Sequence, residues 1–170
     1  MSAGTTLPKR VDPRRLAVAC GEIEGAIPLA SLPRLSAATP APPAEAKAWL
    51  KLAFAEDAQR RVTMRGRLQA VLSLQCQRCL GSLAWTVESE LRLIAVADED
   101  AAAQVPRDHD PVVVDSRGLD VAALVEDELI LALPVVARCE DKQCSPAALL
   151  TQKAGRKENP FAALTDWQRR

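Results

Sequence analysis

The sequence is poor in aromatic residues, with no tyrosine, two phenylalanines and three tryptophans in 170 positions. Its core must therefore be aliphatic, and the shortage counts against any module that grips bases by stacking. The one histidine, His109, sits in an acidic stretch between Asp108 and Asp110. It reads as a solvated loop residue, not a catalytic base. Seven glycines are scattered singly, which excludes a phosphate-cradling glycine-rich loop. No Ser/His/Asp arrangement is tied to a motif. No apolar run approaches the ~20 residues a bilayer crossing needs, and the polar start from Met1 to Arg15 does not read as a secretory signal. A cytoplasmic protein without enzymatic activity is the expectation. Five cysteines in such a chain are read as free, metal-bound or redox-active before they are read as structural disulfides.

What is present suits one folded domain: 48% hydrophobic residues in a chain of ordinary single-domain length. The 22 basic and 22 acidic side chains cancel, but they are segregated. Residues 47–97 carry eight basic and four acidic groups, residues 98–128 two and ten, and residues 138–170 seven and four. An acid block between two basic ones can steer an anionic partner to one surface and away from another, or it can be solvated loop.

Residues 1–15, with Pro8, Pro13 and the Lys9-Arg10 and Arg14-Arg15 pairs, read as a flexible basic arm. Leu16–Cys20 and Glu22–Ile27 look strand-like, and Pro28 to Ser36 reads as one or two helical turns opening on a proline. The segment 37–46, with Pro40, Pro42 and Pro43, is a loop by composition. From Trp49 onward Leu50, Leu52 and Phe54 alternate with polar or small residues. A longer alternation then runs from Arg61 to Cys76, with Val62, Met64, Gly66, Leu68, Ala70, Leu72 and Leu74 on one face. Leu83, Trp85, Val87, Leu91 and Leu93 continue the pattern on a third strand. Period two means a strand with one face buried. Pairing positions that sum to 155 sets Leu72 opposite Leu83, Arg65 opposite Glu90, and Cys76 opposite Cys79 across a two-residue turn.

Residues 98–118 read as an acidic loop with at most a short strand at Val112–Val114. Asp120 can cap a helix from Val121 that Pro134 ends after Leu133. Val121, Leu124, Val125 and Ala132 share a face of it, and Glu128 falls at the centre of that face. Its carboxylate is expected to reach water at the edge, the alternative being an ion pair with Arg65 or Arg67. The predicted fold is α+β: an antiparallel sheet built on a long hairpin, one main helix packed on it, and a Cys-rich knuckle at the hairpin tip. The ordered domain is expected over 16–144, followed by a flexible tail over 145–170 with a short helix near 160–168.

Cys76-x-x-Cys79 and Cys139-x4-Cys144 carry the chemistry. Structural zinc takes four thiolate or imidazole ligands in a tetrahedron, often as one close pair from each of two segments. The 59 residues between the pairs exceed the spacing of a compact ribbon. A reversible redox pair at Cys76 and Cys79, or four idle buried thiols, therefore remain open from spacing alone. Four cysteine ligands would close a zinc site against catalysis. Cys20 reads as a core or strand thiol.

Taken together, Cys76-Gln77-Arg78-Cys79-Leu80 at a strand end, Val125-Glu126-Asp127-Glu128-Leu129-Ile130-Leu131-Ala132-Leu133-Pro134, a second cysteine pair and Asn159-Pro160-Phe161-Ala162-Ala163-Leu164 resemble the YceD family. These are the large ribosomal RNA subunit accumulation proteins of bacteria, with plastid relatives. The resemblance spans most of the chain. It implies a cytoplasmic, non-enzymatic factor for synthesis, processing or stability of 23S ribosomal RNA, with ribosomal RNA or a pre-50S particle as partner and neither membrane nor DNA. It supplies no catalytic residue. Some relatives carry histidine where this chain has Cys139, an exchange that a zinc ligand tolerates and a disulfide does not. The resemblance therefore favours structural zinc on Cys76, Cys79, Cys139 and Cys144.

Two modes of action follow. In the first the protein binds RNA, through Lys9, Arg10, Arg14 and Arg15 in the arm, Arg61, Arg65 and Arg67 on the polar sheet face, Arg78 at the hairpin tip, and Lys153, Arg156, Lys157, Arg169 and Arg170 in the tail. Base-specific stacking is not expected in that reading, so RNA shape or a protein partner would supply selectivity. In the second the protein is a zinc-stabilised adaptor that recruits a ribosomal protein or an RNA-processing enzyme. The acidic 98–128 segment would then engage a basic partner, and Phe161, Leu164 and Trp167, at helical spacing, would dock as a short amphipathic helix.

Overall fold

The computed structural model describes residues 6–140 and Cys144. The fold is α+β and is mostly strand. Five strands form one sheet in the order β2-β3-β4-β5-β6, where β2 is Glu22–Pro28, β3 Lys47–Glu56, β4 Val62–Gln75, β5 Ser82–Val96 and β6 Asp110–Val113. The first three pairings are antiparallel, and β6 joins the edge of β5 in parallel. Two short strands, β1 (Arg10–Val11) and β7 (Leu119–Asp120), pair with each other. Among the described residues helix α4 (Val121–Leu131) is the longest at 11 residues; α1 (Pro13–Val18), α2 (Pro33–Ala38) and α3 (Glu99–Ala102) have six or fewer. Among the described residues no helix is long and apolar enough to cross a membrane.

The alternation in β3 and β4 fixes the core. Leu50, Leu52 and Phe54 of β3, Met64, Leu68 and Leu72 of β4, and Val87, Leu91 and Leu93 of β5 are buried on one face. They form one cluster with Val121, Leu124, Val125 and Leu129 of α4 and with Leu29, Leu32 and Leu35. Trp85 donates its indole N–H to the Ala132 carbonyl at 3.2 Å, tying β5 to the end of α4. Gly66 is required where β4 lies against β3, since a Cβ there would lie 2.0 Å from the Lys51 carbonyl oxygen.

The β4–β5 register differs from the expected one. Paired positions sum to 157, so Leu72 lies opposite Trp85, Ala70 opposite Val87, and Arg65 opposite Arg92, not Glu90. Arg67 instead faces Glu90. A shift of two keeps every side chain on its own face, so the apolar pattern does not distinguish the registers. The connection decides: the last pair is Gln75 with Ser82, leaving Cys76 to Gly81 as a six-residue turn in which Cys76 and Cys79 do not pair as strand residues.

Several local expectations are corrected. Leu16–Cys20 is not strand: Asp12 Oδ1 accepts from the N–H groups of Arg14 (3.0 Å) and Arg15 (3.2 Å), and Pro13 opens α1. Arg10, expected in a loose arm, is held in β1, where its guanidinium bonds Asp115, the Gly118 carbonyl and Asp120. Pro28 ends β2 and is followed by a 3-10 turn at Leu29–Ser31, so the helix opens on Pro33. Within 98–118, Asp98 caps α3, and β6 starts at Asp110. Asp120 caps α4 as expected, but the helix ends at Leu131. Cys20 is exposed, at a positive φ of 46° just past α1, and is not a core thiol.

Candidate metal centre

Cys76 is the first residue beyond β4, and the turn it opens is tightly closed. Its N–H donates to the Gly81 carbonyl at 2.9 Å, the Leu80 N–H returns to the Cys76 carbonyl at 2.8 Å, and Gln75 Nε2 donates to the Leu80 carbonyl at 3.1 Å. Leu80 takes φ +60°, the left-handed region, to complete the reversal. The chain leaving α4 is fastened to this turn by the Gln77 N–H, which donates to the Ala137 carbonyl at 2.8 Å. That bond brings Cys139 alongside, and its N–H points at Cys76 Sγ at 3.4 Å.

The four sulfurs of Cys76, Cys79, Cys139 and Cys144 lie within 4.8 Å of one another. Cys76 and Cys144 are 3.7 Å apart, and Cys79 and Cys139 3.9 Å. Both separations are close to the ~3.8 Å between ligands of a tetrahedral ion with Zn–S bonds of ~2.3 Å. All four thiols are free; Cys76 and Cys144 are buried, Cys79 and Cys139 half-buried. The donor set and its geometry fit a soft, tetrahedral metal ion.

The electrostatics of the cluster are uneven. N–H groups of Cys139, Cys79 and Arg78 converge on Cys76 and pull its pKa down to about 5. Hydrogen bonding to Cys139, together with burial, pushes Cys144 up to about 12, against the Arg78 guanidinium whose Nε donates to its sulfur at 3.0 Å. The chain thus favours negative charge at one sulfur while another keeps its proton.

The other site candidates are dispersed. Arg78, expected to face RNA, is engaged with Cys144. Arg61 is held in its own turn by Asp57 at 2.6 Å. Arg65 and Arg67 lie on the outer face of the sheet, Arg67 3.5 Å from Glu90. Lys153, Arg156 and Lys157, like Phe161, Leu164 and Trp167, lie outside the described residues. His109 is largely buried, with Nδ1 3.2 Å from the Asp108 carboxylate, and is not the solvated residue expected. Glu128 makes no ion pair among the described residues; burial, Asp110 and Asp127 raise its pKa.

Sequence reasoning missed Glu126. This buried carboxylate accepts from the N–H groups of Arg34 (2.6 Å) and Leu35 (3.1 Å) and from Arg34 Nε (2.9 Å). It caps α2, which has no side-chain cap of its own at Leu32. No local signal reveals a cap supplied from 92 residues downstream. Trp49, where the β3 alternation starts, lies outward on the sheet and is 44% exposed.

A family model described as "Large ribosomal RNA subunit accumulation protein YceD" matches residues 64–166, a span that takes in most of β4, all of α4 and all four clustered cysteines. A curated protein of Haemophilus influenzae bearing the same name is 36% identical, over 70% of this chain and 72% of its own length. No solved structure matches.

Proposed function

The chain belongs to the YceD family, and on that premise we propose that it is a non-enzymatic factor supporting accumulation of the large-subunit, 23S ribosomal RNA in the cytoplasm. In this reading Cys76, Cys79, Cys139 and Cys144 hold a structural zinc ion, and the protein acts by contacting ribosomal RNA or a pre-50S particle. The observation that carries it is the four-thiol cluster within the matched span, which ties the β4–β5 turn to the chain beyond α4. When bound, zinc supplies a fixed crosslink between the two segments and takes up the charge of the thiolates. Four thiol ligands leave no open position for substrate, which agrees with a structural role. Zero net charge is unusual for an RNA binder, so the contact must come from a localised surface.

The test is made in cells lacking the gene. The 23S to 16S ratio is expected to fall and to be restored by the wild-type chain, but not by Cys76→Ser. An unchanged ratio in the deletion strain would remove this function. Restoration by Cys76→Ser to the wild-type level would separate the function from the metal centre. In parallel, filter binding of the purified chain to ribosomal RNA across a salt series reads out direct contact, with an affinity that falls as salt rises. Absence of salt-sensitive binding would leave the adaptor mode, in which the protein recruits a ribosomal protein or processing enzyme.

A further inference from the structure

The inner face of the sheet is covered by α4 and the segments around α2, but much of the outer face is open. Trp49, Lys51, Arg65, Arg67, Glu90 and Arg92 line a shallow groove of about 790 Å³ across it. Its charges are not evenly matched. Lys51 is answered by Glu24 (3.1 Å) and Glu22 (3.5 Å), and Arg67 by Glu90 (3.5 Å). Arg92 reaches the same Glu90 only at 3.9 Å, and Arg65 has no ion-pair partner among the described residues. Yet Arg65 and Arg92 stand directly opposite each other on β4 and β5. Like charges across a strand pair are destabilising, so this pair has no account in the stability of the sheet. It is suited to an anion that can bridge two guanidinium groups.

Trp49 adds a second, independent feature. Among the described residues it is the outer face's one aromatic side chain, with Gln69 opposite it on β4 and Ala26 on β2. Trp49 itself is 44% exposed. From its row to the Arg65–Arg92 row is four residues, or about 14 Å along the strands at ~3.4 Å per residue. That is a span for a few nucleotides of extended chain, with Lys51 and Arg67 between.

We propose that this outer face is a platform for single-stranded RNA, on which an unpaired base stacks against Trp49 and the adjoining phosphates meet Arg67, Arg65 and Arg92. The proposal rests on the reading that the protein contacts RNA directly. It names the surface and the form of RNA taken. A base within a duplex has no free face to offer a lone indole, whereas an unstacked one does. The stack holds without reading sequence, and the guanidinium groups give the salt dependence.

The experiment uses the full zinc-loaded chain and a fluorescently labelled 12-nucleotide RNA of mixed sequence, single-stranded or annealed to its complement, followed by anisotropy across a salt series. The single strand is expected to bind more tightly than the duplex. Trp49→Ala should weaken it about tenfold with the salt slope retained, and Trp49→Phe should recover most of the loss. Arg65→Gln combined with Arg92→Gln should reduce the slope by about one to two. Melting temperatures of all variants should match the wild type. If wild-type chain binds the RNA and both sets of variants bind equally well, the platform is overturned while direct RNA contact stands. If wild-type chain binds neither form, platform and RNA contact fall together. A loss of 23S RNA in cells carrying Trp49→Ala would then identify the face as a protein-docking surface.

Discussion

Two clusters tie distant segments together, and they differ in whether the chain completes them. At Glu126 a buried carboxylate on α4 meets two N–H groups and a guanidinium of α2, so its charge is answered within the protein. At the cysteine cluster four sulfurs crowd within 4.8 Å, with N–H groups directed chiefly at Cys76 and the Arg78 guanidinium at Cys144. The carboxylate clamp is complete as it stands. The sulfur cluster has a geometry that could hold a dication, because four thiolates this close would repel one another and a tetrahedral cation would remove that repulsion. Burial and proximity alone therefore do not distinguish a structural clamp from a metal site; the count of donors against acceptors does.

The largest expected effect breaks the incomplete cluster. Cys76→Ser, or a zinc chelator applied to the wild type, should lower the melting temperature by about 10 °C or more, since metal binding is coupled to folding. Metal analysis of protein purified without an affinity tag should give one zinc per chain in the wild type. Cys139→His should retain the metal, because imidazole replaces thiolate as a ligand, whereas Cys139→Ser should lose affinity. A metal-free, reduced wild type melting at the same temperature would remove zinc and leave the thiols as packing.

Breaking the complete clamp should cost less and ignore metal. Glu126→Ala leaves the Arg34 and Leu35 N–H groups without their acceptor, a loss of about 2 kcal/mol, or about 4–8 °C. Chelator should shift this variant as much as it shifts the wild type. Burial works to raise the Glu126 pKa, but the N–H groups of Leu35 and Arg34 and the Arg34 guanidinium hold it below the ordinary value. The stabilisation is therefore present above the unfolded carboxylate pKa of ~4.3 and fades as pH falls through the lower folded value. Glu128, two residues on, has the opposite sign: burial, then Asp110 and Asp127, raise its pKa. Its ionisation opposes folding as pH rises above ~4.3. Glu128→Gln should accordingly raise the melting temperature by about 1–3 °C at pH 7 and leave it unchanged near pH 3. Thermal melts at the two pH values check both carboxylates together.

These contrasts mark what could be read before any coordinates. The faces of β3, β4 and β5 were legible because each strand alternates over many residues, and Asp120 was legible as a cap because its acceptor acts three residues away. The β4–β5 register was not, because a shift of two preserves the pattern and the six-residue cysteine turn absorbs the difference. The Asp12-Pro13 pair is a local helix-start signal for α1, whereas the apolar run Leu16–Cys20 taken alone reads as strand. The cysteine spacing marked the four residues that converge and left open whether they bind a metal. Glu126 gave no local signal because its partners lie on another helix, and the fact that Glu126 is fully buried while Glu128 is only half-buried depends on how α2 crosses α4.

The smallest effect sharpens the comparison at the turn itself. Leu80 sits at φ +60° so that the chain can reverse and present N–H groups to Cys76. A residue with a Cβ pays roughly 1–2 kcal/mol in that region, and Leu80 is too exposed to recover it by burial. Glycine removes the penalty but loses more entropy on folding, roughly 0.4–1 kcal/mol. Leu80→Gly should therefore leave stability unchanged or raise it by at most about 1.6 kcal/mol, measured by thermal melts of the zinc-loaded chain. Leu80→Val, β-branched and worse suited to positive φ, should lower it. A marked loss in Leu80→Gly would show that the leucine side chain is packed in solution, and that the turn is held by burial as well as by sulfur.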